Sequence, residues 1–184
     1  MNPSQLSYEL RKAVTPHLTR RRWIIGLSFF GAAMAQLVAL YQTGIIKRLP
    51  DPPLPLIDSN KVDASTYAYK RRDTPDGLMM LSTYATTALL AGAGGKDRVQ
   101  QKPWLPLAMG AKLLYDTVQV VRLGGEEWAE NKALCFYCQT ASLATLASLL
   151  LAIPEVTQAA QKLWSSGLDQ TTDVIEEVKT SVTS

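Results

Sequence analysis

Cys135 and Cys138, separated by Phe136 and Tyr137, are the residues of this chain best suited by type and spacing to chemistry. On a helix, positions i and i+3 share a face about 5 to 6 Å apart, so a small adjustment of the first turn permits a disulfide. That spacing suits reversible two-electron redox. They are the only cysteines among 184 residues, which excludes a disulfide framework, and the single His17 excludes a site built from several imidazoles. Zinc needs more ligands than the pair provides, and no metal is expected. The inert alternative is burial of two small, soft side chains in an apolar helix. Asn131 is the candidate N-cap ahead of the pair, setting Cys135 in a first turn where the helix dipole favours a thiolate. Lys132 adds to that effect, whereas Glu126, Glu127 and Glu130 oppose it.

The elements that must position this pair are read from the distribution of charge. No charged side chain occurs from Trp23 to Ile46, a 24-residue stretch. At about 1.5 Å per residue it exceeds the roughly 30 Å hydrocarbon core of a bilayer. Blocks with few or no charges follow at 77–95, 103–121 and 133–153, the third of the four carrying Lys112 and Asp116. The expected fold is therefore all-α, a four-helix transmembrane bundle of residues 23–153, between a basic N-terminal segment (1–22) and a polar tail (154–184). A soluble Ala-rich bundle is the competing fold, since charged residues make up only 19% but mean hydropathy is close to zero. The first stretch, apolar on all faces, argues against it, because a small soluble bundle cannot bury such a helix all round. Arg20, Arg21 and Arg22 before an apolar run, with Ala33-Met34-Ala35 inside it, also resemble an export signal. The run continues ten residues past Ala35, so an uncleaved anchor is expected.

Basic residues set the orientation. Arg11, Lys12 and Arg20 to Arg22 precede the first span, and Lys96, Arg98 and Lys102 join the second to the third, which places both termini in the cytoplasm and Cys135 at an outward mouth. The bilayer is then a bacterial cytoplasmic or a thylakoid membrane. The outer segment 47–76 is rich in proline (Pro50, Pro52, Pro53, Pro55), reads as extended, and is either a plain connector or a lid. Leu6, Leu10 and Val14 form a stripe that suits a helix on the membrane surface, and Val174, Ile175, Val178 and Val182 form a similar one in the tail. The composition gives no sign of nucleic-acid binding.

Tyr41-Gln42-Thr43-Gly44-Ile45-Ile46-Lys47, then Leu49-Pro50-Asp51-Pro52-Pro53, and finally Cys135-x-x-Cys138 opening the last span resemble the vitamin K epoxide reductase family over about 23–154. The resemblance implies a four-helix membrane bundle around a quinone of menaquinone, ubiquinone or plastoquinone type. It implies that Cys135 exchanges disulfides and Cys138 faces the ring. Full members carry a second cysteine pair in the loop after the first helix, relaying electrons to a thioredoxin-like protein; segment 47–76 has none. Where many members place a quinone-bonding tyrosine, this chain has Ser142, and an aligned Asn falls on Asp76.

Two functions follow. One is a membrane thiol oxidoreductase that couples a partner's dithiol to a quinone through Cys135 and Cys138, with Ser142 and Asp76 on the cofactor. The other is a non-catalytic membrane subunit that keeps the bundle and binds a larger protein complex, motivated by the absent loop cysteines. Lys112 and Asp116 are either a polar wall near the ligand or a mutually neutralising pair.

Overall fold

The start of the second helix follows capping chemistry rather than charge. Thr15 Oγ1 accepts the Leu18 N–H at 3.2 Å, and Pro16 fills a first-turn position where its missing N–H costs nothing. The second helix therefore begins at Pro16, ahead of the charge-free stretch, and takes Arg20 to Arg22 into its first turns. The computed structural model describes residues 2–182 except Arg72, with side chains as far as Ser166. The helices are α1 (Pro3–Lys12), α2 (Pro16–Gln42), α3 (Ser59–Asp63), α4 (Asp76–Gly92), α5 (Arg98–Gln101), α6 (Trp104–Asn131) and α7 (Phe136–Val182), with a 3-10 turn at Thr66–Tyr69. Among the described residues the rest is irregular except for one parallel bridge between Ile57 and Leu134.

α2 packs against α4 and α7, and α6 against α7 and α4. Ile24, Ala91, Met109, Leu113 and Ala152 form a core toward one end, and Ala35, Tyr84 and Ala141 one nearer the middle. The outer surface is apolar as well: Phe29, Leu89, Leu114 and Leu150 are all more than half exposed. Pro16–Gln42 and Phe136–Ser166 are long and apolar enough to cross a membrane. α4 has only 17 residues, and α6 carries Lys112 and Asp116, so two of the four expected spans have that character.

The end away from the cysteines is locked by two buried arginines. Arg21 donates to the carbonyls of Ala91, Ala93, Gly94 and Gly95, filling the open C-terminus of α4. Arg98 pairs with Glu155 of α7 at 2.7 Å and donates to Leu90 and Ala93 carbonyls. Both are 1% exposed. Two residues read as orientation signals are thus committed to packing.

The segment between α2 and α4 is a lid. Asn60 ties both the N–H and the carbonyl of Leu49 at 2.8 Å, and Asp51 accepts the Ser59 N–H at 2.9 Å. Backbone bonds from Leu134 to Leu56 and from Asp58 to Leu134 stitch it to the α6–α7 turn. Four tyrosine hydroxyls fasten it: Tyr41 donates to Asn60, Tyr67 to Leu123, Tyr69 to Gln42 and Tyr137 to Pro50, all at backbone carbonyls. Residues 48–54 form neither helix nor ladder, as proline-rich backbone implies, and the side-chain bonds fold this stretch over the end of the bundle rather than leaving it a plain connector.

Two flanking expectations change. α1 stops at Lys12, leaving Val14 outside it, and is held by Glu9, which accepts the Lys96 N–H, and by Arg22, which donates to the Leu10 and Ala13 carbonyls. α7 runs through Pro154 to Val182 instead of ending at 153. The stripe at Val174, Ile175, Val178 and Val182 lies outside the described side chains.

Candidate functional site

Lys132, at φ 51°, makes the left-handed turn that ends α6 and sends the chain back into α7. Asn131 is the last residue of α6, its Nδ2 donating to the Glu127 carbonyl at 3.3 Å, so it is not the cap of the next helix. Cys135 is. Its carbonyl accepts the Gln139 N–H at 3.0 Å, and its Sγ accepts the Cys138 N–H at 3.2 Å, as a serine oxygen would at this position. The neighbouring free donors are also satisfied from outside the helix. Glu127 Oε1 accepts the Cys135 N–H, and Ser59 Oγ of the lid accepts the Phe136 N–H at 2.9 Å.

The two sulfurs face different surroundings. Cys135 is 0% exposed, packed with Val38, Leu49, Val62, Tyr67, Ala133 and Tyr137 beneath the lid. The lid closes Cys135 off from solvent. Cys138 is only partly buried and lines a cavity of about 480 Å³ between α4, α6 and α7. Both are free thiols.

Asp76 and Ser142 line the same cavity. Asp76 opens α4 and accepts Gln42 Nε2 at 2.6 Å through Oδ1, while Gln42 Oε1 accepts the Gly77 N–H at 3.0 Å. Burial raises the Asp76 carboxyl above its ordinary range. Ser142 Oγ donates to the Cys138 carbonyl one turn back, at 2.8 Å. Three of the four residues singled out in the sequence thus share one chamber, and Cys135 stands one layer behind it. The chamber also reaches Asp116, which pairs with Lys112.

Two carboxyl groups beside the cysteines are not legible as site residues in the sequence. Asp63, at the end of α3 in the lid, is 1% exposed. Its carboxyl and both sulfurs lie within 4.8 Å of one another. Neither of its oxygens finds an N–H or O–H donor, and the Cys135 thiol stands against it. Burial pushes it up to about 8, with Asp76, Glu127 and Asp51 adding to the rise. Glu127, 3% exposed, joins Cys135 to the cavity wall and accepts Gln139 Nε2 at 3.1 Å. Burial raises it to about 7, against the lowering effect of the Cys135 N–H. One carboxyl and two thiols fall short of the four ligands of a structural zinc site.

A buried exchange-type dithiol, one sulfur opening on an apolar chamber near the end of two membrane-length helices, is the arrangement to set against known proteins. Residues 22–153 match the vitamin K epoxide reductase family. The chain belongs to this family. No curated protein and no solved structure matches it. Membership points to an integral membrane thiol oxidoreductase linked to a quinone and acting with a thioredoxin-like protein, and the two apolar helices fit that character.

Proposed function

We propose that this chain oxidises the dithiol of a thioredoxin-like partner and delivers the electrons to a membrane quinone through Cys135 and Cys138. The observation that carries the reading is the division of the pair, with Cys138 on the cavity and Cys135 under the lid. The cavity, about 480 Å³, is within the usual range for a small-molecule site, roughly 300 to 1,000 Å³. Met79, Met80, Val120 and Leu123 give it an apolar wall, and Asp76 and Ser142 stand on it as polar groups, a lining that fits a flat apolar ring with oxygens at its edge. When bound, a quinone supplies the acceptor for the two electrons and two protons that leave the dithiol. Asp76 and Ser142 are the residues that would hold it.

Toward the partner, Cys135 is the exchanging sulfur. With the pair oxidised, a partner thiolate attacks Cys135 Sγ, the Cys135–Cys138 bond breaks, and Cys138 leaves as a thiolate on the cavity side. The partner's second thiol then attacks the mixed disulfide, freeing Cys135 and leaving the partner oxidised. Segment 47–76 has no cysteine to relay electrons, so the partner meets Cys135 directly, and the lid must open first. In this reading the membrane domain is residues 23–153, with four helices across a bacterial cytoplasmic or thylakoid bilayer, both termini cytoplasmic and the lid outward; the apolar outer surface of α2, α4, α6 and α7 supports its insertion in a bilayer, and the basic residues before the first span and between the second and third support the orientation. Family membership does not favour the non-catalytic scaffold.

The test is quinol formation by the detergent-solubilised chain given a dithiol and a soluble quinone. Cys138→Ser abolishes it, and Cys138→Ala, given the partner in its oxidised disulfide form, traps it as a mixed disulfide on Cys135. Unchanged quinol formation by Cys138→Ser sinks the mechanism.

A further inference from the structure

Cys135 sits where water does not reach, so the proton of its thiol needs a carrier before the sulfur can act as a nucleophile. The carrier must lie against the sulfur and have spare lone pairs. Ser59 is spent on the Phe136 N–H, and Glu127 on the Cys135 N–H through Oε1 and on Gln139 Nε2 through Oε2. Among the described residues Asp63 alone meets both conditions: it is 1% exposed, lies within 4.8 Å of the sulfurs, and has two oxygens without an N–H or O–H donor. A buried carboxyl left in that state is costly, about 1 to 3 kcal/mol or more, which marks it as retained for something other than packing.

From this geometry we infer that Asp63 is the proton acceptor of Cys135, a base that the lid carries to the buried thiol. The proposal rests on the reading that the pair cycles between dithiol and disulfide. In the step that closes the disulfide, the Cys135 S–H proton passes to an Asp63 carboxylate oxygen. The sulfur attacks Cys138 Sγ, the new S–S bond forms, and the electron pair released at Cys138 leaves on the cavity side, to the quinone of the proposed function or, in a mixed disulfide, to the departing thiolate. Reopening of the lid returns the Asp63 proton to water.

The surroundings hold the carboxyl in a range useful for this work. Glu127 faces it from α6, Asp76 from α4 and Asp51 from the lid, with Cys135, Cys138 and Tyr137 on α7 and Tyr69 on the lid. From α2, Tyr41 reaches only the neighbouring Asn60 carbonyl. No cation is among these groups. Burial and like charge both favour the neutral acid, and its rise to about 8 leaves it able to take up and give back a proton close to neutrality.

An aromatic disulfide reagent separates this step from quinone chemistry. Cys138, on the cavity, reacts first and releases one aromatic thiolate; attack of Cys135 on the mixed disulfide releases the second. In the full chain in detergent, Asp63→Asn should slow the second release about 100-fold, the lower end of what a positioned base contributes, and leave the first unchanged. The wild-type second release should rise with pH through an inflection near 8 that Asp63→Asn lacks and Asp63→Glu restores. A second release in Asp63→Asn that superimposes on wild type, or one slowed equally at every pH with the inflection retained, overturns the assignment. Should Asp63→Asn fail to fold, redox-difference infrared spectra of Glu127→Gln/Asp76→Asn, which keeps Asp63, decide. A protonated-carboxyl band that changes on oxidation supports the proposal, and its absence overturns it. Failure of quinol formation with this release pattern intact would instead remove the quinone reading alone.

Discussion

Glu127 Oε1 on α6 accepts the backbone N–H of Cys135, so a carboxyl from one helix closes the first turn of the next at its leading cysteine. Glu127→Ala leaves that buried N–H without an acceptor and should cost about 1 to 3 kcal/mol, whereas Glu127→Gln keeps an acceptor oxygen and costs less. The carboxyl is raised from 4.5 to about 7 in the fold, so the fold favours its protonated form. That contribution is complete below about pH 4.5 and is lost as pH climbs through about 7. Thermal unfolding at about pH 4 and about pH 8 should show wild type losing more stability than Glu127→Gln across this window.

Small thiol reagents should modify Cys138 before Cys135, because one lines the cavity and the other is sealed. Tyr67→Phe removes the hydroxyl that ties the lid to the Leu123 carbonyl and should speed Cys135 alkylation several-fold, with little change at Cys138. Mass spectrometry of each cysteine over time reads both rates. Equal rates at the two sulfurs would refute the closed lid.

Lys112 Nζ donates to the Thr83 carbonyl at 2.6 Å as well as to Thr87 Oγ1 and Asp116, and both members of the pair are largely buried. Lys112→Met strands Asp116 and should destabilise by about 3 kcal/mol, while Lys112→Met/Asp116→Leu should recover most of that loss. Unfolding midpoints of the two variants make the comparison. If the double variant is stable yet weakens quinone affinity more than about tenfold, the pair serves the chamber as well as the packing.

A Cβ on Gly77 would stand 2.6 Å from the Ala39 nitrogen and 3.0 Å from Gln42 Oε1. The nearest obstacle is backbone, which cannot rotate away, so Gly77→Ala must push α4 off α2 at a cost of about 1 to 3 kcal/mol. Asp76 moves with it. The Michaelis constant for quinone should therefore rise in this variant, with a smaller effect on turnover at saturation.

The helical character and the cysteine pair are legible because each is written locally, in charge-free runs and in a three-residue spacing. Thr15-Pro16 also states its helix start locally, but the basic residues beyond it obscured the signal. Asp63 and Glu127 are another matter. They reach Cys135 across 72 and 8 residues, from the lid and from α6, and no periodicity links them to the pair. Proline in 47–76 reads as extended chain, because the contacts that fold it come from single side chains, Asn60, Asp51 and four tyrosines. A thiol acting as an N-cap likewise has no composition signal to set against the better-known Asn131.

The placement of the two sulfurs on either side of one helical turn makes their bond a partition as well as a redox centre. On the proposed cycle the partner's dithiol acts on the sulfur beneath the lid, and the acceptor acts on the sulfur that lines the cavity. On that cycle electrons pass from partner to acceptor only by making or breaking that single bond. The rate at which a bulky partner is oxidised is then set by how often the tyrosine-fastened lid lifts rather than by the reactivity of either cysteine.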